Sequence, residues 1–169
     1  MEIIDIVDEH DTVVGSGDIR TVHKKKLLHR TAGVLIFKDS SRKEMAIQKR
    51  SMSMVNAPGK WAHTSGHIPT GDTYLEAAKK ELQEEMFHGI PFPELEYEKL
   101  FKIHKHGDGD EELITIYAVE YDGELAPDHG EVEVIAWVSL EQLYGELQDE
   151  KYTETFREVM EAYKSISST

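Results

Sequence analysis

The sequence predicts an α/β fold of the α+β sandwich type, in which a mixed β-sheet packs against helices. Two observations support this prediction. Residues 31–38 (TAGVLIFK) form the most apolar strand candidate, and residues 73–86 carry apolar side chains at helical spacing. Further strand candidates lie on both sides of that helix, and two more helices are predicted near the C-terminus. This order of elements is typical of a sheet with helices packed on its faces.

The N-terminal region is predicted to form a hairpin followed by a crossing segment. Apolar and polar side chains alternate in residues 2–7, and the polar residues 8–12 are typical of a turn. The hairpin should therefore end near Gly15. The polar stretch 18–28 then connects the hairpin to the apolar strand at residues 31–38.

A second strand and a long loop are predicted between the apolar strand and the helix. Residues 44–50 (EMAIQKR) are typical of a strand and should pair with residues 31–38 across a turn, so that both strands are central. Residues 51–72 contain two prolines and three glycines, which are too many for a long helix. This region is predicted to be a loop with a short strand, where functional residues often lie.

The remaining elements follow the helix at residues 73–86, for which Asp72 or Thr73 is the predicted N-cap. Residues 88–91 (HGIP) should end this helix. Strands are then predicted at residues 97–105, 113–121 and 132–138, and helices at residues 140–147 and 153–165. The stretch 104–112 (HKHGDGDEE) between the first two of these strands is interpreted as a solvated loop rather than a metal-binding tract.

Length and apolar patterning limit the domain organisation and the location. A chain of 169 residues is predicted to form one domain, residues 1–169, with the hairpin and crossing segment in about residues 1–30 and the last helices in about residues 140–169. No run of 18 apolar residues and no signal-peptide pattern is present, so we expect a cytoplasmic protein without membrane contact. A homodimer, the commonest oligomer, is the expected quaternary state.

Charge and cysteine content restrict the partners and the metal ligands. The formal net charge of −14 at pH 7 argues against nucleic-acid binding, which needs a basic surface. A small phosphorylated substrate is still a suitable partner if a cation bridges it to carboxylates. The absence of cysteine excludes disulfides, thiolate nucleophiles and cysteine-bound zinc, which leaves histidines and carboxylates as metal ligands.

The helix at residues 73–86 carries three glutamates that can act together. Glu81, Glu84 and Glu85 lie within about 100° of one another around a helix of 3.6 residues per turn, so their carboxylates can converge. An isolated group of this kind is most often a solvated acidic face. The glycine-rich residues 66–72 (GHIPTGD) precede the helix, however, and such a loop can lay its backbone beside the carboxylates and bring phosphates over them. This context favours a metal site.

The spacing of the loop and the glutamates resembles the Nudix box of the Nudix hydrolase superfamily. The matching positions are Gly66, Asp72, residues 80–82 (KEL), Glu84 and Glu85. The sequence departs from the usual pattern where Asp72 stands for Glu, Lys80 for Arg and Phe87 for Gly. Opposite charges remain at the first two positions, so a Lys–Asp pair can replace the Arg–Glu pair without its bidentate geometry.

The resemblance implies a divalent-metal-dependent hydrolase with a Nudix-type mixed sheet flanked by helices. Glu81 and Glu85 are the implied ligands of Mg²⁺ or Mn²⁺, and Glu84 is either a ligand or the partner of a metal-bound water. The implied reaction is attack of a metal-bound water on a phosphorus of a phosphoanhydride. The substrate is a small diphosphate compound, namely a nucleoside di- or triphosphate or a similar nucleotide.

A base and phosphate-binding groups complete the implied site. The candidates for the base are, in the box, Glu84 and Glu85 and, later in the chain, Glu112, Glu131 and Glu133. Among the later glutamates Glu112 is favoured. The predicted substrate-binding groups are the side chains of Arg50 and Lys60 and the loop backbone at Gly66.

Segments outside the box resemble the branch of the superfamily that contains type I isopentenyl-diphosphate isomerase. They are residues 5–9, His23, residues 28–30, residues 48–51, residues 58–61 and residues 65–67. The resemblance also implies a second metal site, because five residues of the isomerase bind a metal. Their equivalents in this chain are His23, His29, His67, Asp110 and Glu112.

Three differences argue against isomerase activity. The catalytic Cys of the isomerase is Ser65 here, and a hydroxyl is a far weaker acid than a thiol. The isomerases have largely lost box glutamates that this chain keeps at positions 81 and 84, and Met54 and Val55 stand in the stretch of their diphosphate-binding Lys. We therefore predict a hydrolase. Isopentenyl-diphosphate isomerase and a non-catalytic nucleotide-binding protein of the Nudix fold are the alternatives.

Overall fold

In the computed structural model, which describes residues 1–107 and 110–167, nine β-strands form one mixed sheet that four helices accompany. The strands are β1 (Ile3–Val7), β2 (Val13–Asp18), β3 (His29–Phe37), β4 (Glu44–Arg50), β5 (Trp61–Ala62), β6 (Thr64–His67), β7 (Glu98–Gly107), β8 (Asp110–Glu120) and β9 (Val132–Ser139). The helices are α1 (Ile19–Lys24), α2 (Tyr74–Met86), α3 (Leu140–Gly145) and α4 (Glu154–Ser167). Across these described residues, no helix combines the length and the apolar character needed to cross a bilayer.

Strand β3 lies at the centre of the sheet. All nine of its residues pair in parallel with β8, and residues 31–34 also pair antiparallel with β6. Because β6 and β8 occupy both edges of β3 there, β4 pairs with β3 only at Ile36 and Phe37. The main partner of β4 is β9. Both strands are central as predicted, but their mutual pairing is short.

The two faces of the sheet carry separate apolar cores. Side chains alternate along β3, so that Leu35 and Phe37 enter the core under α3 and α4, whereas Val34 and Ile36 enter the core under α2. All four side chains are fully buried. This arrangement confirms the predicted mixed sheet with helices on its faces.

The predicted N-terminal hairpin is formed by β1 and β2. Asp11 in its turn is hydrogen-bonded to three other elements. The Asp11 carboxylate accepts hydrogen bonds from Arg30 Nε of β3 (2.6 Å) and Tyr74 OH at the start of α2 (3.0 Å). It also accepts from Lys102 Nζ of β7. The crossing segment after the hairpin contains α1, which begins at the N-cap Asp18 and which polarity alone did not predict.

The long helix α2 begins and ends where local chemistry directs. Its N-cap is Thr73, one of the two predicted caps, and Thr73 forms a capping box with Glu76. At the other end Phe87, which stands where the Nudix box has Gly, is buried against the rings of Phe92 and Tyr121. The chain then turns at Gly89, whose φ is +74°. The glycine needed for the turn thus lies two residues later than usual.

The interpretation of residues 104–112 as a solvated loop is wrong for the residues that the structure describes. Strand β7 continues to Gly107, and β8 begins at Asp110. Residues 108–109 of the predicted loop lie outside the described residues. The ladder continues because His106 pairs directly with Glu111 in an antiparallel register, and their side chains are in contact.

Candidate functional site

The three box glutamates lie at graded depths on α2. Glu85 is buried, Glu81 is partly buried and Glu84 is exposed. The backbone of Gly66 on β6 packs directly against the Glu81 side chain, so closely that a Cβ at Gly66 would overlap the Glu81 carboxyl group. A larger residue at position 66 would therefore have to displace the Glu81 side chain or the β6 backbone.

A buried hydrogen-bond chain fixes Glu85. Gln48 Nε2 of β4 donates to Glu85 Oε2 (2.7 Å), and Thr64 Oγ1 of β6 donates to Gln48 Oε1 (3.1 Å). The other oxygen, Glu85 Oε1, is buried and has no partner among the described residues. One carboxylate oxygen is thus held in place, while the second is left for a ligand that the protein does not supply.

Burial and mutual repulsion shift the protonation of two of these glutamates. Burial, followed by the charges of Glu84 and Glu131, raises the pKa of Glu81 to about 8. Burial and the Glu81 charge likewise raise the pKa of Glu85 to about 8, against the lowering effect of the Gln48 hydrogen bond. A divalent cation would stabilise the ionised forms. The box carboxylates supply hard oxygen donors of the kind that Mg²⁺ and Mn²⁺ prefer, although among the described residues the ligand atoms of all three do not lie within 4.8 Å of one another.

The raised pKa values of Glu81 and Glu85 predict how the stability of the metal-free protein depends on pH. An unfolded glutamate has a pKa near 4.5, so between about 6.5 and about 8 only the folded protein holds protons on Glu81 and Glu85. A rising pH therefore favours unfolding. We expect the melting temperature in EDTA to fall over this range, and Mg²⁺ should reduce the fall. Differential scanning calorimetry at several pH values measures both slopes.

Two controls separate this effect from other titrations. Glu85→Gln should give a shallower fall of the melting temperature in EDTA, because it removes one of the two titrating carboxyls. Burial lowers the pKa of His63 and His67 to about 4. Their effect on stability has the opposite sign and ends only about one unit above the unfolded histidine pKa of 6.5, at about pH 7.5. A flat profile above this pH would contradict the prediction.

The three later glutamates occupy different surroundings. Glu131 adds to the negative charge that raises the pKa of Glu81 and Glu85, and burial with the charges of Asp128 and Glu84 raises its own pKa. Glu133 is exposed, and its Oε2 lies 3.6 Å from Lys49 Nζ. Glu112, the glutamate favoured from the sequence, lies in a separate group with His29. Glu131 is therefore the later glutamate that shares the electrostatic environment of the box.

A second group of ligand side chains, which we term the inner histidine cluster, joins four elements. Its members are His23 of α1, His29 of β3, His67 of β6, and Asp110 and Glu112 of β8. One ring nitrogen from each of the three histidines lies within 4.8 Å of those of the other two. The Nε2 atoms of His23 and His67 are 3.0 Å apart. Strand register produces this convergence, because His29 pairs with Glu112 across the β3–β8 ladder.

Carboxylates complete the inner histidine cluster. Asp110 Oδ1 lies 3.2 Å from His23 Nδ1, and Glu112 Oε1 lies 3.6 Å from His29 Nε2. His29 Nδ1 lies 2.9 Å from the carbonyl oxygen of Leu27, which orients the ring. The five residues that the isomerase resemblance selected are thus brought together, and their mixed nitrogen and oxygen donors fit a divalent cation.

The protonation states in the inner histidine cluster suit metal binding. Burial, with the charge of His29, lowers the pKa of His67 to about 4, so His67 is neutral at pH 7. Burial opposes the ionisation of Glu112, but contact with His29 outweighs it and lowers the Glu112 pKa. Burial likewise opposes protonation of His29, but contact with Glu112 raises its pKa. A neutral imidazole and an ionised carboxylate are therefore available as ligands.

A cavity of about 490 Å³ opens beside the inner histidine cluster. The predicted substrate-binding residues Arg50, Lys60 and Gly66 all line it, as do Ser65 and Glu112. Two further cations in its wall were not predicted from the sequence, namely Lys105 of β7 and Arg157 of α4. These four basic side chains share the wall with the carboxylates of Asp110, Glu112 and Glu154. A mixed lining of this kind suits an anionic ligand that carries a divalent cation.

His63, which the sequence did not single out, also lines this cavity. It is fully buried against the ring of Phe156, and neither ring nitrogen has a hydrogen-bond partner among the described residues. Burial lowers its pKa to about 4, so the ring is neutral at pH 7. A buried neutral imidazole without a partner is suited to a hydrogen bond with a bound ligand or water.

The two charged positions at which the sequence departs from the Nudix box form a weak ion pair between the loop and α2. Lys80 Nζ of α2 lies 3.8 Å from Asp72 Oδ2, and both side chains are partly exposed. The charge pairing expected from the two substitutions therefore forms. Arg50 is oriented by its own hydrogen bond, in which Nε donates to the carbonyl oxygen of Asn56 (2.9 Å).

Comparisons with known proteins identify the family to which the chain belongs. The chain matches the NUDIX domain over residues 27–163. An isopentenyl-diphosphate Delta-isomerase from Serratia proteamaculans is 31% identical, covering 94% of this chain and 89% of the relative. An uncharacterized Nudix hydrolase from Streptomyces coelicolor is 30% identical, covering 80% and 72%.

Solved structures share the fold. A crystal structure of a Deinococcus radiodurans protein superimposes with a TM-score of 0.78 at 20% identity, covering 95% of this chain and 98% of that one. The fold therefore agrees with the domain match, and the predicted resemblance to both hydrolases and isomerases of this group is confirmed. The chain belongs to the NUDIX domain family.

Proposed function

We propose that this protein hydrolyses the phosphoanhydride bond of a small diphosphate compound, with Mg²⁺ or Mn²⁺ as its cofactor. A nucleoside di- or triphosphate or a similar nucleotide is the proposed substrate. The observation that carries this proposal is the placement of two box glutamates, with Glu85 buried and Glu81 partly buried against the Gly66 backbone. Burial raises the pKa of both carboxyls to about 8, and a cation would stabilise their charged forms. The bound cation would supply an activated water and offset the charge of the phosphoryl group.

The side chains of this protein have distinct tasks in the proposed reaction. Glu81, Glu84 and Glu85 would hold the cation, and the hydrogen bond from Gln48 fixes the orientation of Glu85. Arg50 and Lys60, which line the cavity, would bind substrate phosphates. Preorganised charges of this kind lower the barrier because they need no reorganisation when the phosphoryl group reacts.

Glu131 is the base that these surroundings favour for hydrolysis. Its side chain is exposed, but partial desolvation of the carboxyl, followed by the charges of Asp128 and Glu84, raises its pKa. A carboxylate with a raised pKa is a stronger proton acceptor than an ordinary surface glutamate. Glu112 stays the candidate that the sequence favoured, and its contact with His29 connects it to the inner histidine cluster instead.

Substitution of each glutamate should separate the two assignments. We expect Glu131→Gln to lower kcat for hydrolysis by about 100-fold or more, because general-base catalysis contributes about 10²–10⁴-fold. Glu112→Gln should lower it less. Steady-state kinetics at saturating Mg²⁺ measure both effects, and an equal or larger loss in Glu112→Gln would return the role of base to Glu112.

A substrate screen tests the proposed function directly. Purified full-length protein is incubated with nucleoside di- and triphosphates, nucleotide sugars and isoprenoid diphosphates, with Mg²⁺, with Mn²⁺ or with EDTA. Release of products that requires the metal supports hydrolysis. The products are phosphate or diphosphate from nucleoside phosphates and isoprenoid diphosphates, and a nucleoside monophosphate with a sugar phosphate from nucleotide sugars. Tight nucleotide binding without release at any metal would instead indicate a non-catalytic nucleotide-binding protein.

Isopentenyl-diphosphate isomerisation is the second candidate function. It is supported by the convergence of His23, His29 and His67 with two carboxylates and by the named activity of the Serratia relative. Ser65, which lines the cavity at the position of the isomerase Cys, weakens this candidate. Incubation with isopentenyl diphosphate and Mg²⁺, followed by analysis for dimethylallyl diphosphate, distinguishes isomerisation from hydrolysis.

A further inference from the structure

A third group of ligand side chains lies outside both sites described above. This outer histidine cluster consists of His104 and His106 on β7 and Glu111 on β8. The two histidines are two residues apart on one strand, so their side chains lie on the same face. Glu111 stands directly opposite His106 in the β7–β8 ladder. The backbone register therefore assembles the cluster without any long loop.

The three side chains converge on one carboxylate oxygen. Glu111 Oε2 lies 3.1 Å from His104 Nε2 and 3.0 Å from His106 Nδ1. The two imidazole rings are stacked with their centroids 3.7 Å apart. One ligand atom from each residue lies within 4.8 Å of those of the other two. His104 and Glu111 are about one-third exposed and His106 is two-thirds exposed, so a hydrated ion can reach all three.

We propose that the outer histidine cluster is a binding site for a transition-metal cation of the Zn²⁺, Ni²⁺ or Cu²⁺ type. Two imidazole nitrogens and one carboxylate oxygen form a donor set that suits these ions better than Mg²⁺, which prefers oxygen ligands. Water would complete the coordination. The net charge of −14 raises the local concentration of cations around the protein.

The position of Glu111 connects this site to the inner histidine cluster. Successive side chains of a strand point to opposite faces, so Glu111 faces outwards between Asp110 and Glu112, which contact His23 and His29. A cation bound by His104, His106 and Glu111 would cross-link β7 and β8 near Glu111. It would thereby restrain the segment 110–112, which supplies both carboxylates of the inner histidine cluster.

Zinc stoichiometry of the full-length protein tests the outer site. Equilibrium dialysis against Zn²⁺ is carried out with excess Mg²⁺, which competes with Zn²⁺ for the box carboxylates. The comparison is made in the natural chain and in a His67→Gln chain, whose inner histidine cluster is disrupted. In both chains His106→Gln should remove one bound Zn²⁺ per protein. His10→Gln is the matched control, because His10 is an exposed histidine (80% of its side chain) away from both clusters.

Two further measurements keep the outcome clear. Glu111→Gln should also remove one Zn²⁺, and it replaces the histidine variant if that variant does not fold by circular dichroism. Zn²⁺ should slow amide hydrogen exchange of residues 110–112 in the His67→Gln chain but not after His106→Gln is added. Unchanged zinc stoichiometry in both outer variants, or zinc binding only at millimolar concentrations, overturns the site. Unchanged amide exchange overturns the restraint on residues 110–112.

Discussion

Replacing Glu85 by Gln should abolish metal-dependent turnover while leaving the fold intact. Glu85 is the buried member of the box, with Oε2 held by Gln48 and Oε1 free for a ligand. A glutamine amide has the same shape but cannot supply the charge that holds the cation. A metal ion contributes several kcal/mol to phosphoryl transfer, so kcat should fall by about 1,000-fold or more.

Stability measurements show whether the loss of turnover comes from the missing carboxylate and not from unfolding. At pH 8 in EDTA the Glu85→Gln protein should melt at the same temperature as the natural chain or higher, because it no longer carries a buried ionisable carboxyl. Addition of Mg²⁺ should stabilise the natural chain more than the variant. Glu150→Gln, at an exposed position, is the matched control and should keep full turnover. Ordinary turnover in a folded Glu85→Gln protein would contradict the proposed metal site.

Replacing Gly66 by Ala should weaken Mg²⁺ binding by displacing Glu81. The added methyl group would overlap the Glu81 carboxyl group, so either the side chain or the β6 backbone must move. Overpacking of this kind costs about 1–3 kcal/mol, which corresponds to a loss of about 5- to 150-fold in Mg²⁺ affinity if the site bears the whole displacement. Isothermal titration calorimetry measures the affinity, and kinetics should show the same loss at limiting Mg²⁺.

A double-substitution cycle tests the stated cause. Gly66→Ala should reduce thermal stability in the natural chain but much less in a Glu81→Ala chain, because the overlapping side chain is then gone. Gly145→Ala is the matched control, since a Cβ at that position meets nothing within 4 Å. Equal destabilisation in both backgrounds would show that the methyl group acts on the backbone and not through Glu81.

Features that depend on local geometry were predictable from the sequence. The three box glutamates share one side of α2 because helical periodicity is set within a few residues. The N-cap Thr73 and the later turn at Gly89 also follow from residues next to them. The close approach of Gly66 to Glu81 was predictable from the loop spacing once the helix had been placed. The resemblance to the Nudix box added the proposed metal ligands.

Features that depend on distant pairing were not predictable. Lys105 and Arg157 line one cavity because α4 packs beside β7, where Lys105 Nζ donates to Thr155 Oγ1 (2.7 Å). The place of Glu131 beside the box depends on a loop far along the chain from α2. Continuation of the β7–β8 ladder through His106 likewise depends on cross-strand register. The homodimer and the cytoplasmic location stay predictions, since one folded chain fixes neither.

The hydrogen bonds of Asp11 in the N-terminal turn bear on where this chain could be cut when it is exchanged as a module between proteins. The family match begins at residue 27, after the whole hairpin and α1. A fragment cut at that boundary would keep every box glutamate. It would lose His23, and it would leave three donors from β3, α2 and β7 without the carboxylate that joins them. We therefore expect the smallest stable module to be longer than the matched domain and to include Asp11.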